Sequence, residues 1–418
     1  MPNVAYLTNI FPTCVEPYVL EEIRELRRRG IAVIPCSSIR TSVGPDSDLD
    51  SWAGETLFLE PLQFGFVFRA VLLFIRCFGS LRQFFRRALS RKRATERRFR
   101  ALLHTFLGIY YAAMLEKGRV EHIHVHHGYF GSWVAMVAAR VLNIPFSMTL
   151  HGSDLLIHAA YLDIKLKQCQ FCVTISEFNR RHILSSYPDI DRAKICVVRM
   201  GVDCDVPIAP APKCEDSTFR MLAVGRLHAV KDHAFLLQAC HRLKRCGFHF
   251  VCSIVGEGPE RASLEKTICD LKLKQQVRML GELSRDDVND QYEKADLVVL
   301  TSRSEGIPLV LMEAMARGKT VLAPAITGIP ELVEDGTTGF LYRSGSLKDF
   351  ASRVELISSA RSGLVRLRHT ARQHVTQHFN SRKNTAAFCE LLISQLQARP
   401  AFASNCEIRS SYENSVLQ

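Results

Sequence analysis

The sequence predicts an α/β protein with two parallel-sheet domains that face each other across a cleft. The chain has 418 residues, too many for one ordinary core and enough for two domains. Short apolar strands alternate with helices in both halves, which is typical of βαβ units. A stretch with three prolines and few strongly apolar residues separates the halves, and we predict that this stretch, 206–215, is the linker.

The first domain, predicted at 1–205, opens with a strand, a helix and a strand. The strand Val4–Thr8 precedes a helix at Tyr18–Arg29, whose apolar residues recur at helical spacing and which Gly30 ends. The strand Ile31–Ile39 follows. The same pattern then continues with the strands His122–His126, Phe146–Leu150, Cys172–Ser176 and Ile195–Arg199, and the helix Trp133–Leu142.

A basic helical insert interrupts this domain at about 64–115. Its two apolar stretches, Phe64–Gly79 and Ala101–Leu115, fall short of the ~20 uninterrupted apolar residues that a membrane-spanning helix needs. Arg69 to Arg100 contains eleven Lys or Arg and one acid, although the whole chain carries only +12. This concentration favours one anionic membrane surface over nucleic acid, with both stretches lying in the membrane interface. The alternative is a surface helix pair with a solvated basic face.

The amino terminus and the cysteines predict the compartment. Residues 1–12 lack a basic segment followed by an apolar core, so we expect no secretory signal. The 14 cysteines are scattered without framework spacing, which is typical of reduced thiols. We therefore expect a cytoplasmic protein that associates peripherally with the inner face of the membrane.

The second domain, predicted at 216–375, repeats the alternation more clearly. Its strands are expected at Met221–Val224, Phe250–Val255, Val277–Leu280, Leu297–Thr301 and Thr320–Ala323, and its helices at Ala234–Cys246, Glu260–Leu271, Asp286–Ala295 and Leu309–Arg317. Helical segments fill Leu347–Leu396, including a separate last helix at 376–398. The polar tail, 399–418, is predicted to be disordered.

The strongest chemical pattern follows a buried strand of the second domain. Pro308 suits the first turn of the next helix, where its missing N–H costs nothing. The free N–H groups near Leu309 and Val310 then point out of the carboxyl edge of the sheet, where ligands of open α/β sheets bind. Such a helix start favours an anion, and a diphosphate fits it.

Two carboxylates and two cations accompany this helix start. Glu305 precedes it and Glu313 lies on it, so both can face one extended ligand and accept sugar hydroxyls. Arg226 and Lys231 follow the first strand of the same domain and can neutralise a departing diphosphate without a metal. The alternatives are a helix-terminal acid, a surface acid and two solvated cations.

Together these residues resemble glycosyltransferase family 4, of the GT-B architecture. The resemblance covers roughly 1–395 and is weaker between residues 46 and 120. The matching positions are the E-x7-E pair Glu305 and Glu313, the cations Arg226 and Lys231, the glycine loop Val255–Pro259, the later loop Gly328–Glu331, the histidine loop His151–Asp154 and the loop His126–Gly128.

The resemblance implies a retaining transfer, with the acceptor on the first domain, the nucleotide sugar on the second, and a last helix that crosses back. The implied catalytic residues are Glu305, His151, Arg226 and Lys231. The implied donor-binding residues are Arg226, Lys231, Gly256, Glu257, Glu305, Gly306, Leu309, Val310 and Glu313. Glu16, His127 and Asp154 are implied for the acceptor, a glycan or polyprenyl-linked sugar. Neither a cofactor nor a metal is expected beyond the nucleotide sugar.

The sequence departs from the family pattern at two places. The loop Phe11–Tyr18 has no glycine pair and is closer to the exopolysaccharide subgroup, which has Ser-Glu-Thr-Phe there. Arg199 and Met200 stand where Pro-Asn is frequent in the family.

Other functions remain as alternatives at this point. One alternative is a nucleotide-sugar epimerase, which shares this architecture. Another is a non-catalytic sugar-nucleotide or lipid-binding subunit, in which the glutamates of the motif would be replaced, whereas here both are present. A nicotinamide oxidoreductase is disfavoured because Arg261 occupies the third glycine position of the dinucleotide fingerprint. His122, His124 and His126 share one face of a strand, which makes a zinc site the alternative to polar residues at a cleft.

Overall fold

The computed structural model describes residues 2–13, 16–40, 47–88, 95–208, 218–361 and 363–398. Most of the predicted linker, from residue 209, and the predicted tail, 399–418, lie outside these ranges. Within them the chain forms two parallel sheets covered by helices, which confirms the predicted fold class.

The first sheet has seven strands in the order β3-β2-β1-β4-β5-β6-β7. They are β1 Asn3–Ile10, β2 Ala32–Ile39, β3 Leu57–Phe58, β4 His122–His126, β5 Phe146–Leu150, β6 Cys172–Thr174 and β7 Ile195–Val197. Their helices are α1 Pro17–Arg28, α2 Ser47–Glu55, α3 Phe64–Ala88, α4 Thr95–Leu115, α5 Phe130–Leu142, α6 Ser153–Leu156, α7 Leu162–Gln168 and α8 Glu177–Ser186. The chain order reverses at β1, which pairs with both β2 and β4.

The second sheet has six strands in the order β10-β9-β8-β11-β12-β13. They are β8 Phe219–Val224, β9 Phe250–Val255, β10 Val277–Gly281, β11 Leu297–Val299, β12 Thr320–Pro324 and β13 Phe340–Tyr342. Their helices are α9 His233–Arg245, α10 Arg261–Asp270, α11 Arg285–Lys294, α12 Leu309–Ala316, α13 Ile329–Leu332, α14 Leu347–Ser359 and α15 Val365–His378, followed by α16 Ser381–Gln397. Here the order reverses at β8.

The last helix, α16, returns to the first domain. Phe388, Cys389 and Leu392 are buried in one cluster with the first-domain residues Val19 and Ile23. Two backbone hydrogen bonds hold the crossing point, from Val202 N–H to Phe379 O (2.9 Å) and from Ser381 N–H to Val202 O (3.0 Å). The helix therefore ties the second domain to the first.

The insert differs from the sequence prediction in two ways. The helix α3 is 25 residues long, because Arg69 and Arg76 are good helix formers and do not end it. By length and composition alone, its segment Phe64–Arg82 could cross a membrane, and it is the one helix among the described residues that could. The second apolar stretch, by contrast, packs into the core, since Ala101 and Tyr110 are fully buried. Ala101–Leu115 is thus a core helix rather than an interfacial one.

Candidate active site

The site predicted for the donor lies where β8 and β11 leave the second sheet, next to the reversal of strand order. Such a reversal opens a crevice in which α/β proteins bind ligands. Lys231 Nζ donates a hydrogen bond to Glu305 Oε1 at 2.6 Å, and Ser302 Oγ donates to the same oxygen at 2.6 Å. Thr301 Oγ1 donates to Lys231 O at 3.0 Å. The fold thus brings a cation and a carboxylate that are far apart in sequence into direct contact.

Arg226 is the second cation of this edge. It follows β8, and its side chain is exposed. Arg226 interacts electrostatically with Tyr129 of the first domain. Burial raises the pKa of the Tyr129 hydroxyl, and the positive charge of the Arg226 guanidinium opposes that rise. Arg226 therefore lies on the side of the second domain that faces the first.

Two glycine-containing loops pack against each other beside Arg226. A Cβ on Gly256 would overlap Gly225 O, and a Cβ on Gly258 would overlap Leu227 O. Leu227 N–H donates to Glu257 O at 2.8 Å. The Glu257 side chain is half-exposed and pairs with Arg261 of α10. The loops after β8 and β9 are thereby held as one surface.

The helix α12 carries the predicted anion site and Glu313. It begins at Leu309, as predicted, although Pro308 occupies the N-cap position and not the first turn. Helix-initial N–H groups such as those of Leu309 and Val310 have no partner within the helix. Tyr292 Oη donates to Glu313 Oε2 at 2.9 Å, and burial raises the pKa of Glu313. Glu313 is thus a half-buried, hydrogen-bonded carboxylate, which excludes the alternative of a plain surface acid.

The floor of the cleft is a backbone contact between the two domains. A Cβ on Gly306 would overlap His151 O, and a Cβ on Gly152 would lie 2.9 Å from Gly306 N. On the other side, a Cβ on Gly328 would overlap Gly306 O. Only glycine fits at these positions, so the histidine loop of the first domain lies directly beside Glu305.

Asp154 holds the histidine loop. Its carboxylate is fully buried and accepts hydrogen bonds from the N–H groups of His151 (3.1 Å), Gly152 (2.7 Å) and Gly128 (2.8 Å). The sequence prediction placed Asp154 against the acceptor. The structure turns this short side chain inward, where it joins the loops that follow β4 and β5.

The His151 ring lies in a cluster of aromatic side chains. Its Nε2 is 3.0 Å from His126 Nδ1, its Nδ1 is 3.3 Å from Met200 Sδ, and Tyr18 lies 5.0 Å away between ring centroids. Burial lowers the pKa of His151 well below its usual value, and the neighbouring His127 adds to this. The ring is therefore neutral at pH 7, and both of its nitrogens have protein neighbours.

Glu16 and His127, which the resemblance implies for the acceptor, form a pair in the first domain. His127 Nε2 is 2.7 Å from Glu16 Oε1. Burial alone would raise the pKa of Glu16 and lower that of His127. Their hydrogen bond and the attraction of nearby opposite charges together outweigh burial, so the pKa of Glu16 falls and that of His127 rises. His127 has a φ of 71°, which is uncommon for a non-glycine residue. The pairing favours the ionised form of both groups, and His127 is held at a strained backbone position, as binding residues often are.

The histidines of β4 have hydrogen-bond partners in the neighbouring strand. Ser147 Oγ lies 2.7 Å from His122 Nε2 and 2.8 Å from His124 Nδ1, and His124 Nε2 lies 3.1 Å from Thr149 Oγ1. The part of the chain that the structure describes contains no group of three His, Cys, Asp or Glu that could hold a metal ion.

Two residues to which the sequence assigned no role support the site. Tyr292 holds Glu313, and the carboxylate of Glu331 accepts hydrogen bonds from the backbone at the start of α8, across the domain boundary. Arg199 Nη2 lies 3.5 Å from Glu331 Oε2. A possible signal was Arg199 itself, which stands where the family frequently has proline.

Two parallel-sheet domains facing across a cleft, with a last helix that returns to the first, define the GT-B class of glycosyltransferase folds. A glycosyltransferase from Rickettsia africae has a TM-score of 0.69 and 21% identity, covering 95% of this chain and 99% of that one. Anabaena HepE in complex with UDP and glucose has a TM-score of 0.68 and 18% identity, covering 94% and 100%.

Family models match both domains. Residues 15–206 match the model described as Glycosyltransferase Family 4, and residues 210–374 match the one described as Glycosyl transferases group 1. The two matches together cover both domains and confirm the resemblance to glycosyltransferase family 4.

Two of the curated relatives belong by name to the exopolysaccharide subgroup. The amylovoran biosynthesis glycosyltransferase of Erwinia amylovora is 31% identical over 205 residues, 48% of this chain and 50% of that protein. An Escherichia coli protein named for colanic acid biosynthesis is 33% identical over 209 residues, 48% and 51%. The chain matches about half the length of these curated relatives.

Proposed function

We propose that this protein is a retaining glycosyltransferase. It transfers a sugar from a nucleotide-diphosphate sugar to a glycan or lipid-linked acceptor, in exopolysaccharide or cell-envelope polysaccharide synthesis. The observation that carries this proposal is the Lys231–Glu305 pair beside the Gly306–His151 contact. A cation for the leaving diphosphate and a carboxylate for sugar hydroxyls lie together at the floor of the cleft. The names of the relatives and the UDP bound to HepE support the same reaction class.

In the proposed reaction, the bond between the sugar carbon and the phosphate oxygen breaks. The acceptor hydroxyl attacks that carbon from the same face as the one the phosphate oxygen leaves. The acceptor oxygen bonds to that carbon, and the leaving phosphate oxygen takes its proton. Arg226, Lys231 and the start of α12 stabilise the charge that develops on the diphosphate. Glu305 and the His151 loop hold the sugar, and Glu313 holds the ribose hydroxyls.

A screen of nucleotide sugars tests this proposal. A bound donor raises the temperature of unfolding by mass action, so one base and sugar should protect the chain and others should not. With that donor, a transferase forms an elongated acceptor, whereas an epimerase releases free sugar without any acceptor. Failure of every nucleotide sugar to protect the protein would contradict the proposal.

We expect Glu313→Ala to raise KM for the donor more than it lowers kcat. Ribose contacts lie far from the reacting bond and are similar in the ground and transition states, so their loss weakens uniform binding. Steady-state kinetics with Glu293→Ala, an exposed acid next to Tyr292, as the control would check this. A steep fall in kcat at unchanged donor affinity would show that Glu313 has another role.

We propose that transfer needs no divalent metal, because Arg226, Lys231 and a helix start can together neutralise the departing diphosphate. Activity is therefore expected to survive an excess of a strong chelator. The measurement is the initial rate with and without the chelator. Loss of activity that added Mg²⁺, Mn²⁺ or Zn²⁺ restores would contradict this prediction.

We propose that the helix α3 docks the protein on anionic membrane. Its outer face exposes the apolar residues Phe64, Phe68, Val71, Leu72, Ile75 and Phe78, with Phe64 93% exposed. Arg76, Arg82 and Arg86 are exposed on the same helix. Apolar side chains alternating with cations fit a surface of anionic lipid headgroups. The basic residues 91–93, which also carry the predicted patch, lie outside the described residues.

Reversing charges on α3 is expected to release the protein from acidic vesicles. Each basic residue near such a surface contributes about 1 kcal/mol, so Arg76→Glu, Arg82→Glu and Arg86→Glu together should abolish most binding. Vesicle co-sedimentation checks this, with Lys266→Glu, Lys274→Glu and Arg278→Glu in the second domain as the matched control. Binding that ignores both the reversal and added salt would count against docking through these cations.

A lipid-linked acceptor is supported by a groove beside this insert. The groove, of about 600 Å³, is lined by Arg100, Tyr129, Phe130, Ile157 and His158, among others. Successive ring centroids lead inward, from His158 to Tyr129 (6.1 Å), from Tyr129 to His127 (5.6 Å), and from His127 to His151 (4.5 Å). Aromatic rings suit the apolar faces of sugars. An acceptor could therefore extend from the lipid surface to the reacting centre.

A further inference from the structure

A buried chain of hydrogen bonds runs from α1 to the His151 ring. Tyr6 Oη contacts Glu22 Oε2 and lies 2.8 Å from His126 Nε2, which is itself 3.0 Å from Glu22 Oε2. His126 Nδ1 then lies 3.0 Å from His151 Nε2. Tyr6 and His126 are fully buried or nearly so, and the carboxyl group of Glu22 is almost enclosed. None of Tyr6, Glu22 or His126 has a part in the reaction proposed above.

The partners at the Glu22 end determine where the protons lie. An ionised carboxylate only accepts hydrogen bonds, so Tyr6 O–H and His126 Nε2–H both donate to Glu22. The pKa of the Tyr6 hydroxyl is raised by burial and by the Glu22 charge, so it remains a donor. A neutral His126 that is protonated on Nε2 has a bare Nδ1. His151 must then donate its Nε2–H to that atom, which leaves its own Nδ1 bare.

At the other end of this series of hydrogen bonds, Met200 is only a weak partner for His151 Nδ1. Its Sδ, 3.3 Å from His151 Nδ1, has no proton to give and is a weak acceptor. A hydrogen bond to an ionised carboxylate is roughly twice as strong as a neutral one, so the Glu22 end outweighs the Met200 end. Met200 therefore leaves Nδ1 without a strong partner.

We propose that Glu22, acting through His126, holds His151 in the neutral form whose bare Nδ1 accepts a hydrogen bond from a hydroxyl of the transferred sugar. This inference rests on the proposed function, in which the His151 loop holds the donor sugar. The flexible Met200 thioether gives way when the hydroxyl enters. Glu22 and His126 are thus positioning residues, and they select a sugar that presents a hydroxyl to His151.

The test is the tautomer of the two histidines, measured by ¹⁵N NMR on the full chain labelled in histidine. His126→Gln and His151→Gln assign the signals. In the wild type, we expect Nδ1 of both rings to resonate as a bare nitrogen. Glu22→Met frees the Tyr6 hydroxyl to donate to His126 Nε2, so both rings should change to the Nδ1–H form. Glu22→Gln keeps an acceptor oxygen in place and should restore the wild-type pattern.

Glu25→Met, on the same helix where the carboxylate pairs with Arg28 and Arg29, is the control and should change neither signal. A protonated His126 Nδ1 in the wild type would overturn the inference, even if Glu22→Met failed to fold. Addition of UDP-glucose should shift the His151 Nδ1 signal while that nitrogen remains bare. If UDP-glucose protects the chain from unfolding but does not shift that signal, the sugar contact is wrong. If the tautomers are as expected and no nucleotide sugar binds, the proposed function fails instead.

Discussion

Replacement of either Arg226 or Lys231 by alanine is expected to lower kcat/KM by about 10²-fold or more, the usual scale for one positioned charge-stabilising group. Cleavage of the sugar–phosphate bond places growing negative charge on the diphosphate. Glu305 and Glu313 would repel that charge if the cations were absent. Lys231 already contacts Glu305, the carboxylate proposed to bind the sugar, so it can hold that carboxylate and the phosphate in one arrangement.

Further variants separate charge from geometry. Arg226→Lys should rescue only part of the activity, because an ammonium group cannot reproduce the planar guanidinium fork on phosphate oxygens. The double alanine variant should lose less than the product of the two single losses, since both cations act on one charge. Steady-state kinetics beside Lys266→Ala, an exposed cation of α10, provide the comparison. Wild-type rates in both single variants would show that this cleft is the wrong one.

The structure also predicts that Arg226 and Lys231 differ in how much they stabilise the folded protein. Arg226 is exposed, so its removal should hardly change the free energy of unfolding. Lys231 is largely buried against Glu305, with 21% of its side chain exposed. Its removal leaves Glu305 without its cation, so we expect a measurable loss of stability. Thermal unfolding of the two variants distinguishes this loss from the loss of turnover.

Gly306→Ala is expected to lower kcat by about 10²-fold while donor affinity changes much less. The added methyl group would overlap His151 O and must push the histidine loop away from Glu305. A misplacement of about 1 Å is enough for such a loss. Donor affinity should largely survive because Arg226, Lys231 and Glu313 all lie in the second domain.

Gly54→Ala is the matched control for this substitution, because a Cβ there meets nothing within 4 Å. Kinetics and donor titration of both variants check the prediction. If Gly306→Ala keeps wild-type kcat, the contact between the two loops is not needed for turnover. If it loses donor affinity as steeply as kcat, the Gly306 loop mainly binds the donor.

Much of the fold followed from short-range patterns in the sequence. Strands such as β9 and β12 are largely apolar runs with turn residues on either side, so their alternation with helices could be read directly. The strands β3 and β13 were missed because two or three residues carry no periodicity, and pairing with a neighbouring strand defines them. The burial of Ala101–Leu115 was missed for a similar reason, since composition alone does not distinguish a core helix from an interfacial one.

The sequence by itself determined which residues gather at the donor edge, because parallel strands bring the segments after their carboxyl ends to one side of the sheet. Only the tertiary structure decided what those residues touch. Lys231 meets Glu305, Gly306 meets the His151 backbone, and Asp154 turns inward to three amides. Such contacts depend on the packing of loops from different strands and domains, where shifts of an ångström decide whether two groups bond. No local pattern in the chain encodes distances of that size.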